Sequence, residues 1–149
     1  MTKTTDILRA ARDQLKQHYP DYKVYLDDVI EDIASPCFVL KIIDTVKDNG
    51  NYRVYHDGFL YVTFFARKGD ADAMQLYDIK DTLMATFVRG LYVTTETDKR
   101  HINFSQINVD TQGEDADIVQ MTLPYAYYDT LDAPAESYLI EKVFTDYKV

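Results

Sequence analysis

The chain has little of what catalytic sites and cross-linked folds are built from. It contains no tryptophan, five glycines, three histidines and one cysteine, Cys37, in 149 residues. One cysteine excludes an intrachain disulfide, and the glycines are too scattered to cradle a phosphate. No histidine stands at zinc-ligand spacing, and His101 near Asp98 lacks a nucleophile motif. We therefore predict no enzymatic activity, no catalytic residue, no cofactor and no metal.

Long apolar runs and a basic excess are also missing. No stretch approaches the ~20 apolar residues that a membrane helix needs, and residues 1–6 lack the apolar core of a signal peptide. Acidic residues outnumber basic ones by 25 to 16, for a net charge of −9. Such a chain should repel nucleic acid, whose binding depends on cationic side chains. We expect a soluble intracellular protein during synthesis, with no membrane partner.

The strongest structural signal lies between Phe59 and Arg89. Residues 59–66 are β-branched and aromatic, as is typical of a central strand, and residues 71–89 carry apolar side chains at helical spacing. Those side chains cover well over half of the helix circumference, whereas a surface helix buries an arc of only ~100°. The excess predicts a second contact, either with the first helix or with a neighbouring subunit.

The remaining segments predict one α+β domain spanning residues 1–149. Its mixed, mostly antiparallel sheet has about five strands, and two main helices pack on one face. Pro20 ends the first helix, and we favour a bulge at residues 56–58 within one long strand over a tight hairpin turn. Residues 130–149 suit a C-terminal arm, helical or extended. Besides the main helix, the predicted elements are a first helix that follows a Thr4 or Thr5 cap and ends at Tyr19, and strands at 22–26, 36–43, 52–66, 91–93, 102–109 and 118–128.

Tyrosine is the one residue type in excess, with thirteen copies. Tyrosine is favoured both in strands and at protein interfaces, so core use and assembly both remain open. The candidate inter-subunit contacts are the surplus apolar residues of the main helix and two tyrosines of the last strand: Met74, Tyr77, Met84, Val88, Tyr125 and Tyr127.

The order of these elements resembles a family of phage tail terminator proteins from prophages of Gram-positive bacteria. The matching patches span residues 7–128. They are Tyr19-Pro20-Asp21-Tyr22-Lys23-Val24-Tyr25, Pro36-Cys37-Phe38-Val39-Leu40-Lys41, Phe59-Leu60-Tyr61-Val62-Thr63-Phe64-Phe65, Leu76-Tyr77-Asp78-Ile79 with Leu83, and Leu123-Pro124-Tyr125-Ala126-Tyr127-Tyr128.

The resemblance implies a structural virion protein that forms a homo-oligomeric ring, commonly a hexamer, on the head-proximal end of the tail tube. Its implied partners are the tail tube protein and a head-completion or connector protein, and DNA passes through the ring without specific binding. It would assemble in the host cytoplasm and reside in the tail or neck. The alternatives are another neck, head-completion or tail-tube protein and, in a different class, a small ligand-binding or enzymatic α+β domain.

Overall fold

The computed structural model describes residues 1–27, 36–67, 72–112 and 117–131 of the chain. Its elements, in chain order, are α1 (Thr4–His18), β1 (Lys23–Leu26), β2 (Cys37–Asp48), β3 (Arg53–Phe65), α2 (Ala73–Phe87), β4 (Leu91–Thr94), β5 (Lys99–Ile102), β6 (Asn108–Gln112) and β7 (Ile118–Thr130). Within these described residues, no helix is long and apolar enough to cross a membrane. The predicted C-terminal arm lies almost wholly outside them and stays a prediction.

The main sheet has five strands in the order β1-β2-β3-β7-β6. Strands β1 and β2 run parallel and the other neighbours run antiparallel. The three inner strands have 12 or 13 residues, whereas β1 and β6 at the edges have four and five. A separate pair, β4 and β5, forms a second small sheet. The predicted α+β class and the mostly antiparallel five-stranded sheet are confirmed.

The core lies between one face of the sheet and the two helices, which confirms the predicted layering. Alternate residues of each strand point the same way, so a single face of β3 and β7 supplies the buried side chains. In β7 these are the odd-numbered residues from Val119 to Asp129. The helices contribute Ile7, Ala11, Leu15, Leu76, Ile79, Leu83 and Phe87.

Strand β3 runs straight through residues 56–58, so the predicted bulge is wrong and the predicted single long strand is right. Asp57 pairs with Thr45, and Gly58 pairs with Asp44, in an unbroken antiparallel register. Glycine at position 58 lets the neighbouring strand and the Tyr125 hydroxyl pack close to the backbone of β3. A Cβ on it would lie 2.3 Å from the backbone oxygen of Ile43 and 2.9 Å from the hydroxyl of Tyr125.

The predicted strand at residues 102–109 is wrong, because the chain changes sheets within it. Ile102 pairs with Leu91 in the small sheet, Phe104 makes an isolated bridge to Tyr125 of β7, and regular pairing with the main sheet begins at Asn108, opposite Thr122. Residues 99–101, which fall between two of the predicted strands, belong to β5. Apolar and polar residues do alternate over residues 102–109, but this segment begins in the small sheet, crosses between the sheets and ends in the main sheet.

Pro124 occupies an inner strand at a place where its missing N–H does no harm. It pairs with Phe59 on one side, while its carbonyl oxygen accepts a hydrogen bond from the Ser105 N–H, 3.1 Å away, on the other. In a strand the N–H of a residue points to the same side as its carbonyl, so a donor at residue 124 would face the crossing segment at Ser105. Only an isolated bridge at Phe104 forms there, and the regular β6–β7 ladder begins at Asn108. The proline therefore interrupts neither that ladder nor the pairing with β3.

Candidate assembly surfaces

Helix α2 is fixed at both ends by local chemistry. Asp72 precedes it, and its carboxylate accepts a hydrogen bond from the Met74 N–H at 3.1 Å, which satisfies one of the free donors of the first turn. Gly90 follows it at a φ of +85°, where a side chain would be strained. A Cβ there would also lie 2.4 Å from the backbone oxygen of Ile102. The rotation of the helix about its axis is thus well determined.

One stripe of α2 is buried and a second apolar stripe is left in solvent. The buried residues are Leu76, Ile79, Leu83 and Phe87. Met74, Tyr77, Met84 and Val88 are 71%, 60%, 39% and 62% exposed. At 100° per residue these four fall within about 80° of arc, roughly 130° around from the buried stripe. We call Met74, Tyr77, Met84 and Val88 the α2 stripe.

The α2 stripe lies on the flank of the helix that faces away from α1. On the opposite flank, Thr82 hydrogen-bonds the side chain of Tyr19, which follows the end of α1. Within the stripe, the Lys80 ammonium lies 4.9 Å from the centre of the Tyr77 ring. Asp81 is exposed within the same arc, between Tyr77 and Met84, so the stripe is apolar on either side of one carboxylate. Several exposed apolar side chains grouped on one helix flank are typical of a protein contact.

Tyr125 and Tyr127 lie inside the subunit, only 2% and 8% exposed. The Tyr125 hydroxyl donates to Asp44 Oδ1 at 2.7 Å, and the Tyr127 ring stacks on His56 at 4.5 Å. Burial, reinforced by Asp44, raises the pKa of Tyr125 far above the usual range, and burial raises the pKa of Tyr127 in the same way. The subunit does not offer these rings for contact, so of the six candidates we retain the α2 stripe.

The alternation of apolar and polar residues along β7 indicates that Tyr125 and Tyr127 are buried. Val119, Met121 and Leu123 are apolar, while Gln120 and Thr122 between them are polar. Continued along the strand, the same parity turns residues 125 and 127 inward and residue 128 outward.

The polar cluster around Asp44 joins the inner strands beneath the helices. His56 Nδ1 donates to Asp44 Oδ2 at 2.8 Å, so both carboxylate oxygens are used. The Nε2 atom of His56 is buried without a hydrogen-bond partner among the described residues. With all its contacts inside the fold, the cluster holds strands together and offers no opening to a substrate.

The face of the sheet turned away from the helices carries a second apolar surface. Its exposed part, which we call the outer sheet face, is lined by Ile43, Tyr55, Phe59, Tyr61 and Tyr128. Ile43 and Phe59 pair directly across two strands and are 48% and 41% exposed. A shallow depression of about 320 Å³ borders Tyr61 and Ile43.

The described residues hold no arrangement that suggests catalysis. No group of three His, Cys, Asp or Glu side chains there could bind a metal ion. Burial raises the pKa of the Cys37 thiol, which disfavours the reactive thiolate. His101 and Asp98, which are close in sequence, have different hydrogen-bond partners. His101 Nε2 donates to the backbone oxygen of Arg89 at 2.7 Å, and the Asp98 carboxylate accepts from the Lys99 N–H.

A family model described as a phage tail terminator protein matches residues 6–137. A search of curated proteins finds no match.

Proposed function

Because the chain belongs to the phage tail terminator family, we propose that it closes the head-proximal end of the tail tube as a ring of identical subunits. Members of this family are structural proteins of the phage tail, and a place in the virion tail follows from membership. The proposal adds the ring, its position on the tube and its role in joining head to tail.

The observation that carries the proposal is the α2 stripe. Four large apolar side chains on one helix flank remain in solvent although the helix already buries a full stripe against the sheet. Transfer of apolar surface out of water contributes about 25 cal/mol per Å². Covering this flank by a neighbouring copy would stabilise an assembly that the isolated subunit cannot provide.

A hexameric ring is the form that we propose, assembled in the host cytoplasm. One side of the ring would contact the tail tube protein and stop its polymerisation, and the other would present a surface to a head-completion or connector protein. The net charge of −9 supports passage of DNA through such a ring, because the subunit has few cations to exchange for phosphate counterions.

Light scattering with negative-stain imaging tests the ring, on the protein alone and after mixing with purified tail tubes. We expect ring-shaped particles, or caps at one end of each tube, with a mass that is a multiple of the subunit mass. A protein that stays monomeric at high concentration and leaves tube ends bare would refute the proposal. A shift of the unfolding temperature by nucleotides or metals would favour the ligand-binding alternative.

A further inference from the structure

We propose that the outer sheet face of one subunit receives the α2 stripe of the next copy. This contact rests on the proposed ring and specifies which two surfaces build it. A closed ring needs a heterologous contact, in which two different surfaces of the same chain fit each other. The α2 stripe and the outer sheet face are two such surfaces, located on different sides of the subunit.

The outer sheet face is apolar where a solvated sheet face would be polar. Phe59 lies beside Ile43 on one neighbouring strand and Pro124 on the other, and its ring is 6.1 Å from that of Tyr61. Farther along, the rings of Tyr55 and Tyr128 pair at 5.0 Å. Exposed aromatic clusters of this kind are typical of the centres of protein contacts.

The charges around the two surfaces have opposite signs. By strand register, the outward positions of the sheet carry four basic residues and two acidic ones: Lys23, Lys41, Lys47 and Arg53 against Asp57 and Asp110. This excess runs against the net charge of the chain, which is −9. From residue 72 to residue 89, helix α2 and its flanking residues carry three acidic side chains, Asp72, Asp78 and Asp81, against two basic ones, Lys80 and Arg89. Opposite potentials favour this pairing over helix against helix or sheet against sheet.

The two surfaces also match in length. From Met74 to Val88 the helix advances about 21 Å, at 1.5 Å per residue. From Tyr55 to Tyr61 the middle strand of the outer sheet face advances about 20 Å. The depression of about 320 Å³ beside Tyr61 and Ile43 has room for a side chain such as that of Met84. An apolar helix lying on an apolar sheet face is the layer arrangement that the subunit already uses inside.

Chemical cross-linking between two variants tests the contact directly. Met84→Cys places a thiol on the α2 stripe, and Phe59→Cys places one on the outer sheet face of a chain carrying a size tag. Each variant alone and the equimolar mixture are treated with a short bismaleimide. The wild type controls for Cys37, which is fully buried. Arg12→Cys, on exposed α1, mixed with Phe59→Cys controls for random collision.

We expect a cross-linked product of mixed size in the Met84→Cys and Phe59→Cys mixture, at least about tenfold above either variant alone and above the Arg12→Cys control. As an independent check, Phe59→Lys should raise the concentration needed for assembly by about tenfold or more while leaving the unfolding midpoint unchanged.

The outcomes separate the contact from the ring. A ring mass by light scattering, with only same-variant products or none, would overturn this contact and leave the proposed function standing. Monomers that also fail to cap tail tubes would overturn both. Full assembly of Phe59→Lys at wild-type concentrations would likewise overturn the contact, because that substitution puts a charge at its centre.

Discussion

At the scale of single residues, the buried polar cluster shows how closely the inner strands are fitted. Asp44 accepts from both His56 and Tyr125, and the Tyr125 hydroxyl occupies space that exists only because residue 58 is glycine. An unsatisfied buried polar group costs about 1–3 kcal/mol, so each member of the cluster depends on the others remaining in place.

Replacing Gly58 by alanine should destabilise the subunit by about 2–3 kcal/mol. The new methyl group would lie 2.3 Å from the backbone oxygen of Ile43, which cannot move without disturbing the β2–β3 pairing. Chemical denaturation of Gly58→Ala measures the loss. The double variant Gly58→Ala/Tyr125→Phe should not recover it, because removing the hydroxyl leaves the closer contact; full recovery would contradict this account.

Alkaline pH should destabilise the fold through Tyr125 and Tyr127, whose pKa values are raised by burial. Below pH 10 both tyrosines are protonated in the folded and in the unfolded chain, so their contribution to the free energy of unfolding is fully present. Above pH 10, the ordinary tyrosine pKa, the unfolded chain releases protons that the folded chain retains. The free energy of unfolding should therefore fall by about 1.4 kcal/mol per pH unit for each tyrosine.

Tyr125→Phe separates this effect from the hydrogen bond. At neutral pH the variant should lose about 1–2 kcal/mol, because Asp44 Oδ1 loses its donor. Above pH 10 its stability should decline less steeply than that of the wild type. Denaturant unfolding at a series of pH values between 7 and 11.5 gives both quantities, and parallel declines would show that Tyr125 titrates normally in the fold.

At the scale of elements, the proposed contact gives α2 two separable roles, core packing for its buried stripe and assembly for the α2 stripe. Met84→Lys should weaken assembly by about tenfold or more while shifting the unfolding midpoint little, since Met84 is partly solvated. Leu83→Ala, one residue earlier and fully buried, should instead cost about 2–5 kcal/mol of stability. Circular dichroism and light scattering on both variants measure folding and assembly separately.

A lysine at Gln75, which is exposed on the other flank of α2, is the matched control for added charge. Gln75→Lys should assemble as the wild type does. If Met84→Lys unfolds the subunit, the residue belongs to the core, and the α2 stripe loses its support as a contact.

The elements also show where sequence reasoning succeeds. The excess arc of α2 could be counted in advance, because helical geometry fixes the angle of every residue once the helix is assigned. The assignment of residues 102–109 failed for a physical reason: alternation reports that a segment is extended, whereas hydrogen-bond partners decide its sheet. Tyr125 and Tyr127 were named as candidate contacts because tyrosine is common at interfaces. The alternation of apolar and polar residues along β7 instead indicates that both side chains point into the core.

At the scale of the whole molecule, the sequence predicts the fold class and the family better than it predicts the surfaces. Chain length, the strand and helix periodicities and the family resemblance were enough to predict an α+β tail protein. The negative net charge, however, gives no indication that the outer sheet face is bordered by an excess of basic residues. The basic residues around that face, Lys23, Lys41, Lys47 and Arg53, lie on β1, β2 and β3, and only the strand order brings them together.

The net negative charge of the chain should prevent the subunit from binding duplex DNA. At about 0.15 M salt we expect no binding tighter than about 100 μM, because non-specific affinity comes from cations that neutralise phosphates. Fluorescence anisotropy with a labelled duplex measures this. Micromolar binding that weakens steeply with salt would mean that the outer sheet face grips DNA, and that a ring exposing it would impede passage.

The short edge strands of the main sheet bear on how the protein behaves at high concentration. Unpaired strand edges are templates for fibrillar aggregation, and long flat ones are the most hazardous. Here β1 and β6 end after four and five residues, so neither edge offers a template the length of the inner strands. These two edges should therefore give the subunit little tendency to nucleate amyloid at high concentration.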